Sequence, residues 1–309
     1  GTVALPEMKK HKYDDALATG VVAAGATLGP MIPPSIGFIL YGVLAQQSIG
    51  KLFLAGILPG ILFSLLMMIT IYIMTKRDPL LGPPGPKTTI KDKLVAIKGI
   101  WGIVALFALV MGGIYFGIFT PTEGAGIGAF GALLFSVVTG RFTRRNFVSA
   151  LLETTLITAM ALIMLTGGTI FGTFMSVSTV PMWLANWAVN LPVSPLVILI
   201  IILFVYLILG CLMSAIAMLL LTVPIFYPVF VALGFDPIWA GVIVTFMWTA
   251  ANVTPPVGIT VFVMKGVAPE IPMYTIFRGV APFFVDMMAT VGILIAFPQI
   301  ATFLPNLLM

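Results

Sequence analysis

The sequence is poor in charge, and this scarcity decides the class of protein. Of its 309 residues only 8% are Asp, Glu, Lys or Arg, whereas 60% are hydrophobic. A soluble domain typically carries about 25% charged residues. A chain with so few charges cannot cover a globular surface with polar groups, so the composition excludes a soluble enzyme or a soluble binding module.

The sequence also lacks the residues on which most catalytic and metal sites depend. It has one cysteine, Cys211, which permits no internal disulfide, and one histidine, His11. The patterns GxxxxGK[ST], HExxH and CxxC are absent, so neither ATP hydrolysis within this chain nor a zinc site is expected. No Ser–His pair, Asp pair or metal cluster falls within the apolar spans, which disfavours an intramembrane enzyme.

Long apolar runs are what the sequence has in abundance. Each is close to or above the ~20 residues that an α-helix needs to cross a bilayer. None shows the alternation over about 10 residues that is typical of a membrane β-strand. The runs are Leu52–Met74, Ile100–Phe119, Leu151–Met175, Leu196–Phe230 and Val280–Phe297. They predict an all-α polytopic membrane protein.

The basic residues predict how the chain is oriented. They cluster before the first span, in a linker over 76–98, in a loop at 141–145 and around a third loop at Lys265 and Arg278. By the positive-inside rule these segments are cytoplasmic, and the C-terminus is then on the outer side. A cytoplasmic membrane face also explains the net charge of +5, so no nucleic-acid partner is expected.

Two apolar spans contain a Pro–Pro pair near their middle, Pro33–Pro34 and Pro255–Pro256. Proline lacks a backbone N–H and pushes the preceding residue out of the α region, so each pair opens a gap in its helix. Backbone groups freed in lipid cost several kcal/mol each, so a gap must line a protein cavity or bind something. A simple kink is the alternative, but two gaps with small and polar neighbours favour a pair of broken helices.

The two broken helices cross the membrane in opposite directions, which predicts an inverted-repeat secondary transporter. Hydroxyl and carbonyl oxygens at the gaps suit Na⁺, and the half-helix N-termini suit an anionic substrate group. The chain begins in an apolar stretch. We expect residues 1–8 to be the closing arm of a helical hairpin whose tip precedes the chain.

Residues 195–232 are apolar for two helix lengths but are interrupted at Gly210–Ser214. The charge distribution requires both ends of this segment on the outer side. A re-entrant hairpin with its tip at the interruption satisfies this requirement. Two full crossings joined by a cytoplasmic turn are the alternative, although that turn would carry no basic residue.

Seven short stretches, in one order along the chain, resemble the large membrane subunit of TRAP (tripartite ATP-independent periplasmic) transporters, the DctM-like permeases. They are VALPEM at 3–8, YDDALATG at 13–20, AAGATLGPMIPPSI at 23–36, GIFTPTE at 117–123, LTVPIFYPV at 221–229, GFDPIWAGVI at 234–243 and NVTPPVG at 252–258.

The resemblance implies an elevator-type transporter in which re-entrant hairpins and two broken helices move together. It implies import of an organic acid anion, such as a C4-dicarboxylate or sialic acid, with Na⁺ as the coupling ion and no other cofactor. The implied partners are a small four-helix membrane subunit and a periplasmic substrate-binding protein, at a bacterial or archaeal inner membrane. A stand-alone Na⁺- or H⁺-coupled dicarboxylate or citrate carrier of related architecture is the alternative.

The resemblance also implies where ion and substrate bind, at the helix gaps and hairpin tips. The residues carried over are Gly25, Thr27, Gly29, Pro33, Pro34 and Ser35 in the first half, and Gly210, Ser214, Ala251, Asn252, Thr254, Pro255, Pro256 and Gly258 in the second. Ser214 stands where the family often has an acidic residue, which leaves the ion affinity of the second half-site open.

The expected organisation follows from these elements. It comprises the first half of the transport domain at 1–47, scaffold helices and a cytoplasmic linker at 48–147, a connecting helix and interfacial segment at 148–194, the second half of the transport domain at 195–268, and a C-terminal transmembrane helix at 269–309.

Two acidic residues are notable for their positions, Glu123 at the outer end of a predicted span and Asp286 within the last span. Glu123 follows Thr–Pro–Thr and is interpreted as a carboxylate at a helix N-terminus, with a scaffold contact or a gating role as the alternative. Asp286 lies in the last span, where an ionisable group is costly. It faces a polar partner or the small subunit, or it lies near the membrane interface, and the sequence does not choose among these.

Overall fold

A computed structural model of the chain describes residues 1–83, 90–256 and 258–309. These residues form fourteen α-helices and no strand, which confirms the predicted all-α class. The first seven helices are α1 (Ala4–Lys10), α2 (Asp15–Ala26), α3 (Ile36–Leu44), α4 (Ile49–Arg77), α5 (Ile90–Tyr115), α6 (Pro121–Val138) and α7 (Arg144–Ser178). The second seven are α8 (Val180–Val189), α9 (Pro195–Leu212), α10 (Ala215–Ala232), α11 (Pro237–Ala251), α12 (Ile259–Val267), α13 (Met273–Ala296) and α14 (Gln299–Leu308).

Five of these helices are long and apolar enough to cross a membrane, namely α4, α6, α7, α9 and α13. Large apolar side chains are exposed along them, such as Tyr72 of α4, Ile163 of α7 and Phe204 of α9. Exposed apolar surface of this extent is stable against lipid rather than water. The chain is therefore a multi-pass membrane protein, as the apolar runs predict.

The two predicted interruptions are present. Helix α2 ends at Ala26 and α3 begins at Ile36, while α11 ends at Ala251 and α12 begins at Ile259. Both Pro–Pro peptide bonds, Pro33–Pro34 and Pro255–Pro256, are cis. The interruption at 210–214 also appears, because α9 ends at Leu212 and α10 begins at Ala215.

The chain divides into two compact units, one formed by residues 1–85 and 168–309 and the other by residues 86–167. In the larger unit one packing scheme occurs twice. Helices α1, α2, α3 and α4 correspond to α10, α11, α12 and α13. The contact of α2 with α13 corresponds to that of α11 with α4, and the contact of α1 with α2 to that of α10 with α11. The contact of α3 with α4 corresponds to that of α12 with α13. Exchanging the set α1–α4 with the set α10–α13 therefore converts each of these contacts into another of them, as an internal repeat requires.

The repeat is inverted, because its equivalent helices α4 and α13 run antiparallel. Thr70 of α4 contacts Asp286 of α13, and one turn further along α4 Met74 shares a cavity with Arg278, which lies earlier in α13. Both helices also contain a Gly-x-x-Pro motif, beginning at Gly56 in α4 and at Gly279 in α13. This repeat signal is present in the sequence, and the sequence analysis above did not use it.

Glycine sets the closest helix contact of the larger unit, at the crossing of α2 and α13. A Cβ added to Gly20 would lie 2.1 Å from the carbonyl oxygen of Gly279, and one added to Gly279 would lie 1.9 Å from that of Ala16. Real Cβ atoms cannot approach a backbone so closely, so both positions require the absence of a side chain. Small residues at a crossing let two membrane helices bring their backbones together.

The smaller unit contains α5 and α6, which pack against each other. A Cβ added to Gly124 would lie 2.9 Å from Ile114, and one added to Gly128 would lie 3.4 Å from Val110. This pair of glycines is one turn apart on the packed face of α6. At the start of α6, Thr120 and Glu123 form a reciprocal capping box, which agrees with the interpretation of Glu123 as a helix N-terminal carboxylate.

Two details differ from the sequence-based expectation or lie beyond the description. The C-terminal segment at 269–309, expected to contain one transmembrane helix, contains two helices, because α13 ends at Ala296 and α14 begins after Pro298, whose ring disfavours continuation of the preceding helix. The linker over 76–98 contains a Pro/Gly run, Gly82–Pro86, which predicts a break in any helix there, and this run lies only partly within the described residues. The expected domain boundaries remain predictions.

Candidate ion and substrate site

The first gap connects α2 to α3 and is held by its own hydroxyl groups. Thr27 Oγ1 donates a hydrogen bond of 2.6 Å to the carbonyl oxygen of Ala24. Ser35 Oγ donates to the carbonyl of Pro30 and accepts a 3.3 Å hydrogen bond from the backbone N–H of Phe38, which makes Ser35 the N-cap of α3. Both side chains are buried, so their remaining lone pairs face the protein interior.

The two predicted glycines of the first gap have free space beside them. A Cβ on Gly25 would meet no heavy atom within 4 Å, and one on Gly29 would meet only the carbonyl oxygen of Ala26, at 3.5 Å. Pro33 is buried whereas Pro34 is exposed. The backbone of the gap is therefore accessible on its glycine side and packed on the side of Pro33.

The second gap connects α11 to α12 and is bridged by a backbone hydrogen bond. The N–H of Thr260 donates to the carbonyl oxygen of Asn252 at 3.1 Å, and Thr254 Oγ1 donates to the carbonyl of Ala250 at 2.7 Å. Gly258 has a φ of +53°, and an added Cβ there would lie 3.0 Å from the Phe277 ring. A left-handed conformation against an aromatic ring explains why this position is glycine.

The tip of the α9–α10 hairpin lies beside the second gap. A Cβ added to Gly210 would lie 2.2 Å from the Cβ of Ala251, the last residue of α11. Ser214 follows four residues later as the N-cap of α10, is exposed, and uses its hydroxyl in no capping hydrogen bond. The structure thus brings the predicted hairpin-tip residues to the predicted gap residues of the second half.

The two gaps lie at the same end of a helix pair. Helices α3 and α11 are antiparallel neighbours, since Tyr41 Oη donates to the carbonyl of Pro237 at 2.9 Å, while Gly37 packs against Trp248 and Thr245. This register puts the N-terminus of α3 next to the C-terminus of α11. The first half-site and the second half-site therefore open at one level of the larger unit.

The electrostatics of this region come from helix ends rather than from charged side chains. Helices α2, α9 and α11 end at the gaps and the tip, and their C-terminal carbonyls attract cations. Helices α3, α10 and α12 begin there, and their N-terminal N–H groups attract anions. None of the fourteen predicted site residues is ionisable. The arrangement offers neutral oxygen ligands to a cation and backbone donors to an anion.

Two contacts that the sequence analysis missed join one half of the repeat to the other. Lys9 of α1 forms an ion pair with Glu270, which follows α12. Gln47, which follows α3, donates a 2.9 Å hydrogen bond to Tyr227 Oη of α10. The hydrogen bond from Lys9 lowers the pKa of the Glu270 carboxyl below its usual range. The two contacts occupy equivalent places in the inverted repeat, and only the repeat, once recognised, could have predicted them.

Trp248 is a further residue that the sequence analysis missed. Its ring is buried on the last turns of α11 and fills the space that the side chain of residue 37 would otherwise occupy. A glycine one residue inside α3 leaves room for a large aromatic side chain from another helix, but the sequence does not say which one enters.

Comparison with known proteins identifies the family to which this arrangement belongs. Residues 1–300 match the family described as tripartite ATP-independent periplasmic transporter, DctM component. The chain belongs to this family. It is 34% identical over 308 residues to the sialic acid TRAP transporter large permease protein of Vibrio cholerae, an alignment that covers 99% of this chain and 71% of that protein.

Two further relatives are named for other substrates. The C4-dicarboxylate TRAP transporter large permease protein of Pseudomonas aeruginosa is 33% identical over 312 residues, which cover 99% of this chain and 71% of that protein. The ectoine TRAP transporter large permease protein of Halomonas elongata is 30% identical over 309 residues, with the same two coverages. These relatives are permease subunits of transporters, so the chain is a TRAP large-permease protein and not an enzyme.

Proposed function

We propose that this TRAP large permease imports an organic acid anion by Na⁺-coupled alternating access. The observation that carries the proposal is the meeting of the Gly210–Ser214 tip with the gap after Ala251, beside the start of α3. The C-terminal carbonyl oxygens of α2, α9 and α11 and the N-terminal N–H groups of α3, α10 and α12 lie around the two gaps and the hairpin tip. A cation and an anion can then bind side by side, and each offsets the charge of the other.

Na⁺ is the coupling ion in this proposal because the ligands are hard, neutral oxygens. The described residues contain no group of three or more His, Cys, Asp and Glu side chains that could hold a transition metal. The carbonyl of Asn252 and the hydroxyls of Thr254 and Ser214 serve the second half-site. Gly25, Thr27, Gly29 and Ser35 serve the first. Bound Na⁺ orders these segments and so completes the anion site.

The substrate is an anion with a carboxylate or a similar oxygen-rich group. The relatives are named for sialic acid and C4-dicarboxylates, which are anions at neutral pH, and for ectoine, a zwitterion that also carries a carboxylate. No Lys or Arg lies among the predicted site residues, so the N-termini of α3 and α12 and the co-bound Na⁺ hold the carboxylate. A periplasmic substrate-binding protein delivers the substrate to this chain and a small four-helix membrane subunit.

The hairpin α9–α10 is re-entrant in this proposal and enters from the outer side. Its tip is level with the gap after Ala251, and α12 continues beyond that gap for nine residues. Nine helical residues add about 13 Å. The tip thus stops inside the protein, before the far surface. The hairpins and broken helices move as one transport domain past the scaffold helices in an inner membrane, with the C-terminus outside.

A titration of the complete transporter complex tests this function without a known substrate. The midpoint of thermal unfolding is recorded while Na⁺ replaces K⁺ at constant ionic strength. A ligand present at 100 times its Kd stabilises the folded state by about 2.7 kcal/mol. We expect a Na⁺-specific rise that is weakened in Asn252→Ala and Thr254→Ala.

The control variant is Thr173→Ala in α7, since Thr173 makes the same kind of hydrogen bond to the preceding turn, 2.9 Å to Thr169, away from the gaps. Its Na⁺ response should equal that of the unmodified protein. Equal unfolding curves in Na⁺ and K⁺, together with uptake into liposomes that is unchanged when K⁺ replaces Na⁺, would refute the proposed coupling.

A further inference from the structure

A carboxyl group that the proposed transport site does not use lies between α4 and α13. Asp286 of α13 is 8% exposed. Its Oδ1 atom is 2.7 Å from Oγ1 of Thr70 in α4, and its Oδ2 atom is buried without a hydrogen-bond partner. The Thr290 hydroxyl, one turn later, is bonded to the backbone carbonyl of Asp286 and not to the carboxyl group.

No cation balances this carboxyl among the described residues. The helices that pack most extensively against α13 are α2, α4, α11, α12 and α14. Helices α11 and α14 contain no charged residue, and α13 contains only Arg278 besides Asp286. The charged residue of α2 is Asp15, its first residue, and that of α12 is Lys265, which donates hydrogen bonds to backbone carbonyls. The charged residues of α4 lie near its two ends and are Lys51, Lys76 and Arg77. Asp286 forms an ion pair with none of them.

The hydrogen-bond geometry fits a neutral carboxyl better than a carboxylate. A buried carboxylate oxygen with neither a donor nor a cation is far more costly than the carbonyl oxygen of a carboxylic acid in the same place. The 2.7 Å contact accommodates a hydrogen in either direction, since hydroxyl hydrogens are assigned from the surrounding network. With a proton on Oδ1, Asp286 donates to Thr70 and leaves only an uncharged oxygen unpaired.

A cavity approaches this carboxyl from one side. A cavity of about 570 Å³ is lined by Asp14, Met74, Leu81, Arg278, Pro282 and Val285, among others. Met74 lies one helical turn from Thr70, and Pro282 lies one turn from Asp286. The cavity therefore ends about one turn, roughly 5 Å, short of the pair. Its lining includes Arg278, one of the basic residues that the positive-inside rule assigns to the cytoplasmic side.

We infer that Asp286 and Thr70 form a proton-binding site, filled from this cavity, whose proton keeps α4 packed against α13. The equivalent helices of the two halves meet at this contact. Release of the proton leaves a bare carboxylate there, which draws in water and loosens the contact. Transport then depends on the pH of the side to which the cavity opens, independently of the Na⁺ sites at the helix gaps.

Infrared spectroscopy and equilibrium unfolding of the purified transporter complex test this site. Both are done without substrate, and each pH series is recorded once in Na⁺ and once in K⁺ at constant ionic strength, so the result does not depend on the proposed transport function. The spectrum of the unmodified protein minus that of Asp286→Asn should contain the C=O stretching band of a protonated carboxylic acid at neutral pH. Glu123→Gln, which changes an exposed carboxylate, should give no such band.

The unfolding experiment supplies an independent readout. A proton held by the folded state and released on unfolding makes the unfolding equilibrium constant rise by up to about tenfold per pH unit. We expect this extra rise as the pH increases above the ordinary aspartate value of about 3.9 in the unmodified protein, and its absence in Asp286→Asn. If Asp286→Asn does not fold, Thr70→Val tests the site, because it removes the partner of the acid proton and should shift the carboxylic acid band.

The proposal is overturned if the carboxylic acid band is absent and the pH profiles of the unmodified protein and Asp286→Asn coincide. It is also overturned if the band is lost when Na⁺ replaces K⁺ at fixed pH, because the occupant of the site is then Na⁺. A band that persists in both salts and disappears with the proton at high pH supports it.

Discussion

Gly210 of α9 lies directly against Ala251 of α11, with only 2.2 Å between the position of an added Cβ and the Ala251 Cβ atom. The contact joins the tip of the hairpin to the last residue before the second gap. The second nearest neighbour of that position is the sulfur of Met218 in α10, at 3.1 Å. Both arms of the hairpin therefore close around the point where α11 unwinds, so any displacement of the tip changes the geometry of the gap.

The variant Gly210→Ala should separate the tip from the gap. The added methyl group cannot fit against Ala251, and overpacking of this kind typically costs about 1–3 kcal/mol. We expect a lower midpoint of thermal unfolding and a smaller Na⁺-specific rise. Gly266→Ala in α12 is the matched control, since an added Cβ there meets no heavy atom within 4 Å. Equal Na⁺ responses in the two variants would contradict the role assigned to this contact.

The crossing of α2 and α13 should not tolerate any side chain. In Gly279→Ala the new Cβ would lie 1.9 Å from the carbonyl oxygen of Ala16, and a backbone atom cannot rotate away as a side chain can. We expect this variant to be recovered poorly and to unfold at a much lower temperature. Gly292→Ala in the same helix has open space and should be neutral or stabilising, since alanine favours a helix by up to about 1 kcal/mol over glycine. Similar losses in both variants would contradict the role assigned to the crossing, because Gly292 has no close neighbour at the position of an added Cβ.

The capping box of α6 should matter locally and not for ion binding. Glu123 Oε2 accepts hydrogen bonds from the backbone N–H of Thr120 at 2.8 Å and from its hydroxyl at 2.9 Å. Removal of an N-cap side chain costs about 1 kcal/mol, so Thr120→Ala should make amide hydrogen exchange in the first turn of α6 about fivefold faster. The Na⁺ response should not change. Loss of uptake in Glu123→Gln with normal exchange in α6 would favour the alternative gating role.

The ion pair of Lys9 and Glu270 should respond to acid and to salt. The hydrogen bond from Lys9 lowers the pKa of Glu270. The stabilisation of the folded state by this ion pair is therefore fully present above the ordinary glutamate pKa of about 4.3, and it is lost as the pH falls through the lowered pKa. We expect the difference in hydrogen-exchange protection of α1 between the unmodified protein and Glu270→Gln to be constant from about pH 6 to pH 8. It should shrink in strong acid and at high ionic strength, because both groups are solvent-exposed.

The control for this prediction is Glu7→Gln, which removes an ion pair to Lys10 within α1 itself. It should leave the attachment of α1 to the segment after α12 unchanged. A Glu270→Gln protein whose α1 is protected as in the unmodified protein at every pH and salt concentration would show that the ion pair does not stabilise the position of α1.

Backbone chemistry made part of the site predictable from the residues. Two prolines in a row cannot continue a helix, so the gaps at Pro33–Pro34 and Pro255–Pro256 follow from local sterics in any tertiary context. The break at Gly210–Ser214 follows from a change in composition within an apolar run. The position of Glu123 in the first turn of a helix follows from the Thr–Pro–Thr that precedes it. Each of these features is local in the chain, and each was predicted and found.

What the sequence determined is the class of the protein, the positions where its helices break, and the residues that resemble those of the TRAP large permeases. What only the tertiary structure decided is which of these positions meet. The contact of Gly210 with Ala251, the entry of Trp248 beside Gly37 and the pairing of Asp286 with Thr70 join residues from different helices. Apolar helices present similar faces to lipid and to protein, so the hydrophobic pattern does not specify helix neighbours, and packing against the inverted repeat does.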